Sequence, residues 1–253
     1  MSTLLEQRLT TLQLPHAATA IAAWLERAAA APLSHHDFRA GLLDEETVGR
    51  ANASTQRRLQ RAGFPYAASI EQFDFGVRPE LKRQVILRYL DPTFVEQAGS
   101  LTLIGPPGLG KTMLAIAIAT KQVQLGYSAR FITAQRLAGF LGRVSTPLGR
   151  RRALYPLLTC DVLVLDELGY LPVEPAFGPA IYEIVAARYE HRPTIITSNK
   201  SLTEWGNVLQ DPSLAAAIVD RLLHRGQVYY LKGPSWRVKG RSPDPATQPE
   251  APA

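Results

Sequence analysis

Through residues 1–63 apolar positions recur at helical spacing: Leu5, Leu9 and Leu12 run up to Pro15, and Ile21, Trp24, Leu25 and Ala28 form a second stripe that stops at Pro32. Ser34, followed three residues later by Asp37, has the form of a capping box and opens a third helix with Phe38, Leu42 and Leu43 on its apolar side. Gly63 and Pro65 close the region. Between Phe64 and Asp91 the pattern changes: Phe73 and Phe75 lie in a short aromatic segment, and Leu81, Val85, Ile86 and Tyr89 mark one more helix. This stretch is the expected junction between two domains.

Downstream the apolar runs become short and continuous. Residues 101–104, 129–132, 162–165, 194–197 and 228–231 read as strands, and Val162-Leu163-Val164-Leu165 suits a central parallel strand covered on both faces. A helix from Met113 to Gly126 follows the first strand, and another over 135–141 follows the second. Pro147 and Gly149 interrupt the segment from Arg143 to Arg152, which is expected to be a loop. The alternation predicts an α/β fold with a three-layer parallel sheet and a ligand at its carboxyl edge. The expected divisions are a helical domain over 1–63 for DNA or partner contacts, a linker over 64–98, the sheet domain over 99–241, and a proline-rich disordered tail over 242–253.

The turn after the first strand is Gly105-Pro106-Pro107-Gly108-Leu109-Gly110-Lys111-Thr112, with Met113 opening the helix. The spacing G-x-x-x-x-G-K-[ST] between a strand and a helix turns backbone N–H groups inward around phosphate oxygens, at a helix end that carries partial positive charge. Lys111 then reaches the β- and γ-phosphates of a nucleotide, and Thr112 holds Mg²⁺. A plain glycine turn would leave a lysine on the buried side unexplained. Phe73 and Phe75, just upstream, serve either as anchors of the linker or as neighbours of an adenine.

The run 162–165 ends in Asp166-Glu167. Two carboxylates at the edge of a buried strand are costly without partners, and Mg²⁺ supplies one. Asp166 can hold the metal's water shell while Glu167 deprotonates a water for attack on a γ-phosphate. The run 194–197 brings Ser198-Asn199 to the same edge, where the Asn199 amide can position that water. The phosphate loop alone would also fit a small-molecule kinase or a nucleotide-gated scaffold, but the carboxylate pair and Asn199 favour hydrolysis.

Net charge is +6, and residues 101–200 hold eleven basic against six acidic groups, so the excess lies in the nucleotide-binding part, notably at Arg143, Arg150, Arg151 and Arg152. A polyanion partner and a merely solvated basic surface both fit this excess. Near the end of the third helix Arg50, Arg57 and Arg61 share a narrow wedge, flanked by Arg58, and the same two readings hold there. The single cysteine, Cys160, borders an apolar run and reads as a core residue. The histidines lack zinc-ligand spacing. No apolar run is long enough to span a bilayer and no signal pattern opens the chain, so the expectation is cytoplasmic, with no membrane partner.

Taken together, Gly105 to Thr112, Leu165-Asp166-Glu167-Leu168-Gly169-Tyr170-Leu171-Pro172, Arg188-Tyr189-Glu190 and Ile196-Thr197-Ser198-Asn199 resemble the IstB-like AAA+ ATPases, helpers of insertion-sequence transposition related to DnaC-type helicase loaders. The resemblance runs to about Arg241. It implies a P-loop NTPase core of the AAA+ type behind a small helical domain, without a full C-terminal lid. It implies ATP and Mg²⁺ on Lys111, Thr112 and Asp166, Glu167 as the catalytic carboxylate and Asn199 as a polar sensor. Arg221 falls at the arginine-finger position, with Arg225 as its rival, and Arg237 at that of a second sensor. The implied activity is that of an ATP-dependent oligomeric ATPase that binds duplex DNA and recruits or stimulates the transposase of the same element; a DnaC-like helicase loader is the alternative.

Overall fold

The computed structural model describes residues 3–144, 146–169 and 176–235. The chain divides into two compact units, Met1–Arg58 and Leu59–Ala253. The first holds helices α1 (Thr3–Thr11) and α2 (Pro15–Ala30) and most of α3 (His35–Ala62). Pro15 stands in the first turn of α2, where a missing N–H breaks no helical bond. Ser34 Oγ accepts from the Asp37 amide at 3.0 Å and donates to its carboxylate at 2.6 Å, so the start signal for α3 operates. Ala17, Ala18 and Ile21 are buried, and Trp24 meets Phe38 edge-on at 6.2 Å. Leu43 is exposed, because it lies one position further round α3 than the half-buried Leu42.

The start of α2 has no side-chain cap from its own N-cap residue. Glu46 on α3, 4% exposed, accepts from the His16 and Ala17 amides at 2.8 and 2.9 Å. Arg50 Nε donates to the same carboxylate at 2.6 Å, and another arm of Arg50 donates to the Gln13 carbonyl. Burial pushes the Glu46 carboxyl up, but Arg50 and the two amides outweigh it and hold it below the usual 4.5. A carboxyl depressed by folding contributes stability that is fully present above pH 4.5 and is lost as the pH falls through its folded value. Acid-induced loss of helicity, followed by circular dichroism, is therefore expected to be shallower in Glu46→Gln. An unchanged acid profile would mean that this carboxylate contributes nothing.

In the second unit, short helices α4 (Arg83–Leu87) and α5 (Thr93–Glu96) lead into β1 (Ser100–Ile104), α6 (Lys111–Gln124), β2 (Ala129–Thr133), α7 (Ala134–Leu141) and α8 (Pro147–Thr159). Next come β3 (Val162–Leu168), α9 (Phe177–Arg188), β4 (Thr194–Ser198), α10 (Trp205–Leu209), α11 (Pro212–His224) and β5 (Gly226–Tyr230). The strands pair in parallel in the order β2-β3-β4-β1-β5. Side chains alternate across the sheet. Leu101, Leu103, Val162, Val164 and Ile195 pack with α6 and with Phe73, Leu81 and Ile86 of the linker, whereas Leu163, Leu165 and Ile196 pack with Leu137, Ile181 and Ile218 of the helices opposite. These are the three layers read from the sequence, with each predicted strand in the sheet.

The segment around Arg150 is corrected. Residues 147–159 form a helix, because Pro147 sits in the first turn of α8 and Thr146 Oγ1 accepts from the Gly149 amide at 3.1 Å. A proline there starts a helix instead of breaking one. Arg150, Arg151 and Arg152 stand on α8, and only Arg143 precedes it. The predicted linker helix is also shorter: α4 passes directly into a 3-10 turn at Arg88–Leu90.

One buried arginine ties the layers together. Arg188 is 1% exposed, and its guanidinium donates to the carbonyls of Leu157, Cys160, Asp161 and Pro193 at 2.6 to 2.9 Å and to Thr194 Oγ1 at 3.0 Å. Cys160 is buried beside it, with Arg188 Nη1 at 3.4 Å from Sγ. Burial pushes the thiol up and the guanidinium down from their ordinary values. Among the described residues no helix is long and apolar enough to cross a membrane.

Candidate nucleotide site

β1 delivers the chain to Gly105 at the carboxyl edge of the sheet, and α6 begins at Lys111. Gly108 and Gly110 hold φ of +77° and +88°, which glycine adopts without a Cβ penalty. A Cβ at Gly108 would come within 1.9 Å of Ser235 Oγ, and one at Gly110 within 2.9 Å of Phe73. Lys111 is 9% exposed, and Nζ donates to the Gly105 and Pro106 carbonyls at 2.6 and 2.7 Å. The positive charge thus lies against the loop that would cradle phosphates. The cleft in front is lined by residues 107–113, by Glu167 and Asn199, and by Tyr66 and Phe73 of the linker. Phe73 fulfils the anchoring reading, being buried and edge-on to Phe75 at 4.9 Å, and it also faces the cleft.

Asp166 is 3% exposed and Oδ1 accepts from Thr112 Oγ1 at 2.8 Å. A hydroxyl and a carboxylate oxygen, side by side next to a phosphate loop, are the hard oxygen donors that Mg²⁺ takes, so these residues fit the metal. Glu167 is exposed in the cleft and holds φ of +60°, unusual for a residue with a side chain. The β3–β4 register explains this turn: Leu165 faces Ile196 and Leu168 faces Ser198, leaving Asp166 and Glu167 opposite the single residue Thr197. Such a bulge re-aims a side chain. Asn199 also lines the cleft, and its Oδ1 is buried without a hydrogen-bond partner. An orphaned buried acceptor is costly unless a ligand or water completes it.

Arg221 is not in this cleft. It lies near Ser100 and Thr194, the first residues of β1 and β4, at the strand edge opposite the loop. There it donates to the Ala217 carbonyl at 2.9 Å and to Tyr182 Oη at 3.2 Å, and stacks 5.0 Å above the Tyr182 ring. Arg225 lies close by and pairs with Glu190 at 3.8 Å. Arg237 falls outside the described residues, as do Tyr170, Leu171 and Pro172 of the motif after the carboxylates. Among the basic candidates, Arg50 is engaged by Glu46 and Gln13, and Arg150 lies 3.6 Å from Glu183. Arg57, Arg61, Arg151 and Arg152 are exposed, Arg58 is half-buried, and Arg143 stacks 5.9 Å from the Phe140 ring.

Two site residues escape the sequence reading. Thr197 donates to Asp166 Oδ1 at 2.5 Å and accepts from the Glu167 amide at 3.0 Å; its only local signal is its place two residues before Asn199. Arg78, 1% exposed, reaches the Leu109 carbonyl of the loop at 3.4 Å and the Lys232 and Pro234 carbonyls at 3.2 and 2.8 Å. Nothing in its neighbourhood of the sequence marks it.

A parallel sheet in this strand order, with a phosphate loop closing β1 and acidic residues closing β3, defines a P-loop nucleotide-binding protein of the AAA+ type. The solved structure of DnaI has a similar fold, with a TM-score of 0.55 and 24% sequence identity, covering 65% of this chain and 91% of that one. The chain belongs to the family of IstB-like ATP binding proteins, which matches it over residues 7–243. It is 36% identical over 228 residues to the ATP-binding protein of insertion sequence IS5376 from Geobacillus stearothermophilus, covering 90% of this chain and 91% of the relative. To that of IS21 from Pseudomonas aeruginosa it is 37% identical over 235 residues, covering 93% and 89%.

Proposed function

We propose that this protein is an ATP-dependent, DNA-binding oligomeric ATPase that assists transposition by binding duplex target DNA and recruiting or stimulating the transposase of the same element. The observation that carries the hydrolytic reading is the Thr112–Asp166 pair beside Glu167, whose left-handed turn sets its carboxylate in the same cleft. Mg²⁺ held by Thr112 and Asp166 would offset the charge of the β- and γ-phosphates. Lys111 transfers its donors from the loop carbonyls to those phosphate oxygens. Glu167 accepts a proton from water as the water oxygen bonds to the γ-phosphorus; the bond to the β–γ bridging oxygen breaks, and ADP and phosphate leave. The side-chain amide of Asn199, which lines the cleft, would hold that water in line.

Arg221 acts in trans, in a neighbouring subunit's cleft; its station at the far strand edge supports this over a role in its own site. Arg237 is carried as a second sensor on the sequence alone. Oligomerisation is then a condition of turnover, and the insertion-sequence relatives supply the context for a transposase partner.

For duplex DNA the reading rests on α8, where Arg151 and Arg152 are exposed between the exposed Leu148 and Tyr155, with Arg143 and the arginines of α3 as further contacts. The double substitution of Arg151 and Arg152 by alanine is expected to weaken duplex binding across all sequences. It should also flatten the plot of log affinity against log salt by about 2, near 0.9 for each phosphate contact. Arg150→Ala should do less, since that side chain already pairs with Glu183. Unchanged affinity and slope in the double variant would remove α8 from the DNA surface.

The test of the whole reading is sedimentation with ATP, with ADP and without nucleotide, each against duplex and single-stranded DNA at fixed salt. Large assemblies that require ATP and prefer duplex are the expected result. Preference for single strands would favour a helicase loader, and a monomer indifferent to both would overturn the proposal.

A further inference from the structure

The geometry points to Thr197 as a positioning residue that builds the catalytic turn: its hydroxyl joins the metal-side carboxylate of Asp166 to the backbone of Glu167. This rests on the hydrolytic reading above. The hydroxyl has one proton, and that proton goes to Asp166 Oδ1 at 2.5 Å; the oxygen's lone pair takes the Glu167 amide at 3.0 Å. Asp166 Oδ1 accepts a second bond from Thr112 Oγ1 at 2.8 Å, so two threonines from separate elements hold one buried oxygen.

The register makes Thr197 the only β4 residue opposite the two bulged residues of β3, and Glu167 within that bulge keeps φ of +60°. A left-handed residue with a Cβ persists only where its surroundings over-determine it. The amide bond to Thr197 is the contact that does so here. The next residues of the same strand continue the arrangement: Ser198 Oγ donates to the Leu168 carbonyl at 2.6 Å, and Asn199 lines the cleft. The end of β4 thus sets the Asp166–Glu167 turn from one side, and the catalytic carboxylate's direction depends on the Thr197 hydroxyl, whose bonds go to Asp166 and to the Glu167 amide.

The test compares Thr197→Val, which keeps the shape and loses both bonds, with Thr197→Ser, which keeps the hydroxyl. In the valine variant kcat for ATP hydrolysis is expected to fall about 100-fold, the scale of an ångström-level misplacement of a reacting group. Affinity for a slowly hydrolysed ATP analogue should stay within about three-fold, as for loss of an interaction made only in the transition state. The serine variant should restore kcat to within about three-fold of the parent. Amide hydrogen exchange of nucleotide-free protein supplies a readout independent of turnover: the Glu167 amide should lose protection in the valine variant and keep it in the serine variant.

Wild-type kcat or wild-type Glu167 protection in Thr197→Val would overturn the assignment, as would equal losses in the valine and serine variants. If the valine variant does not fold, Thr197→Ala is read in the same way against serine. A parent protein without ATPase activity, together with the expected exchange pattern, would overturn the hydrolytic reading and leave Thr197 as the residue that sets the turn.

Discussion

Replacing Glu167 with glutamine is expected to lower ATP hydrolysis by about 10²- to 10⁴-fold, the usual contribution of a general base, with nucleotide affinity nearly unchanged. The amide keeps the shape of the side chain but cannot take the proton of the attacking water. The bonds of Lys111, Thr112 and Asp166 do not involve Glu167 and are untouched. Since the substitution spares the backbone amide, the bond to Thr197 Oγ1 survives and the turn is retained. Assemblies formed with ATP should persist in this variant while those of the parent dissolve as ADP accumulates. Phosphate release and sedimentation, followed together on one preparation, check both parts. A variant that hydrolyses at the parental rate would remove Glu167 from the mechanism, and a parent and variant both without turnover would favour a nucleotide-gated scaffold.

Arg188→Met is expected to cost about 3–5 kcal/mol of stability, since each buried acceptor left without a donor costs about 1–3 kcal/mol. Methionine fills much of the volume but removes the donor that Arg188 supplies at 2.6 to 2.9 Å to the carbonyls of Leu157, Cys160, Asp161 and Pro193, of which Pro193 keeps a bond from the Leu163 amide at 3.3 Å. Those carbonyls lie at the end of α8, at the entry to β3 and just before β4, so the loss falls where two central strands begin. Lysine should rescue little, since one ammonium cannot reproduce a planar fork with five donors. Against a typical domain stability of about 5–15 kcal/mol, the variant is expected to melt well below the parent and to express poorly. Urea unfolding measures the difference. A change under about 1 kcal/mol would show that relaxation or water replaces the guanidinium.

These two residues mark different degrees of legibility. Glu167 stands beside Asp166 at the end of an apolar strand, and the conflict between two charges and a buried setting is visible in adjacent letters. Arg188 is visible only as part of a motif. Its role depends on four carbonyls brought together from the end of α8, the turn into β3 and the turn before β4, and no spacing rule connects them.

By itself the sequence determined the helical first segment, the five parallel strands, the phosphate loop and the acidic and amide residues at the sheet's carboxyl edge. Each is a local matter: periodicity, glycine at a turn, a capping pair, or a strand buried on both faces is written in residues that are neighbours in the chain. Tertiary structure alone decided the rest. Arg50, one of a row of like charges by sequence, became part of the cap on α2 because Glu46 and Gln13 lie beside it. Arg221 stood at a motif position, but only the fold put it at the edge away from its own loop. The turn at Glu167 arose where two residues of β3 met one residue of β4. Gln13 for Arg50, Tyr182 for Arg221 and Thr197 for Glu167 are distant in sequence, and a hydrogen bond's energy depends on geometry that only the fold brings about.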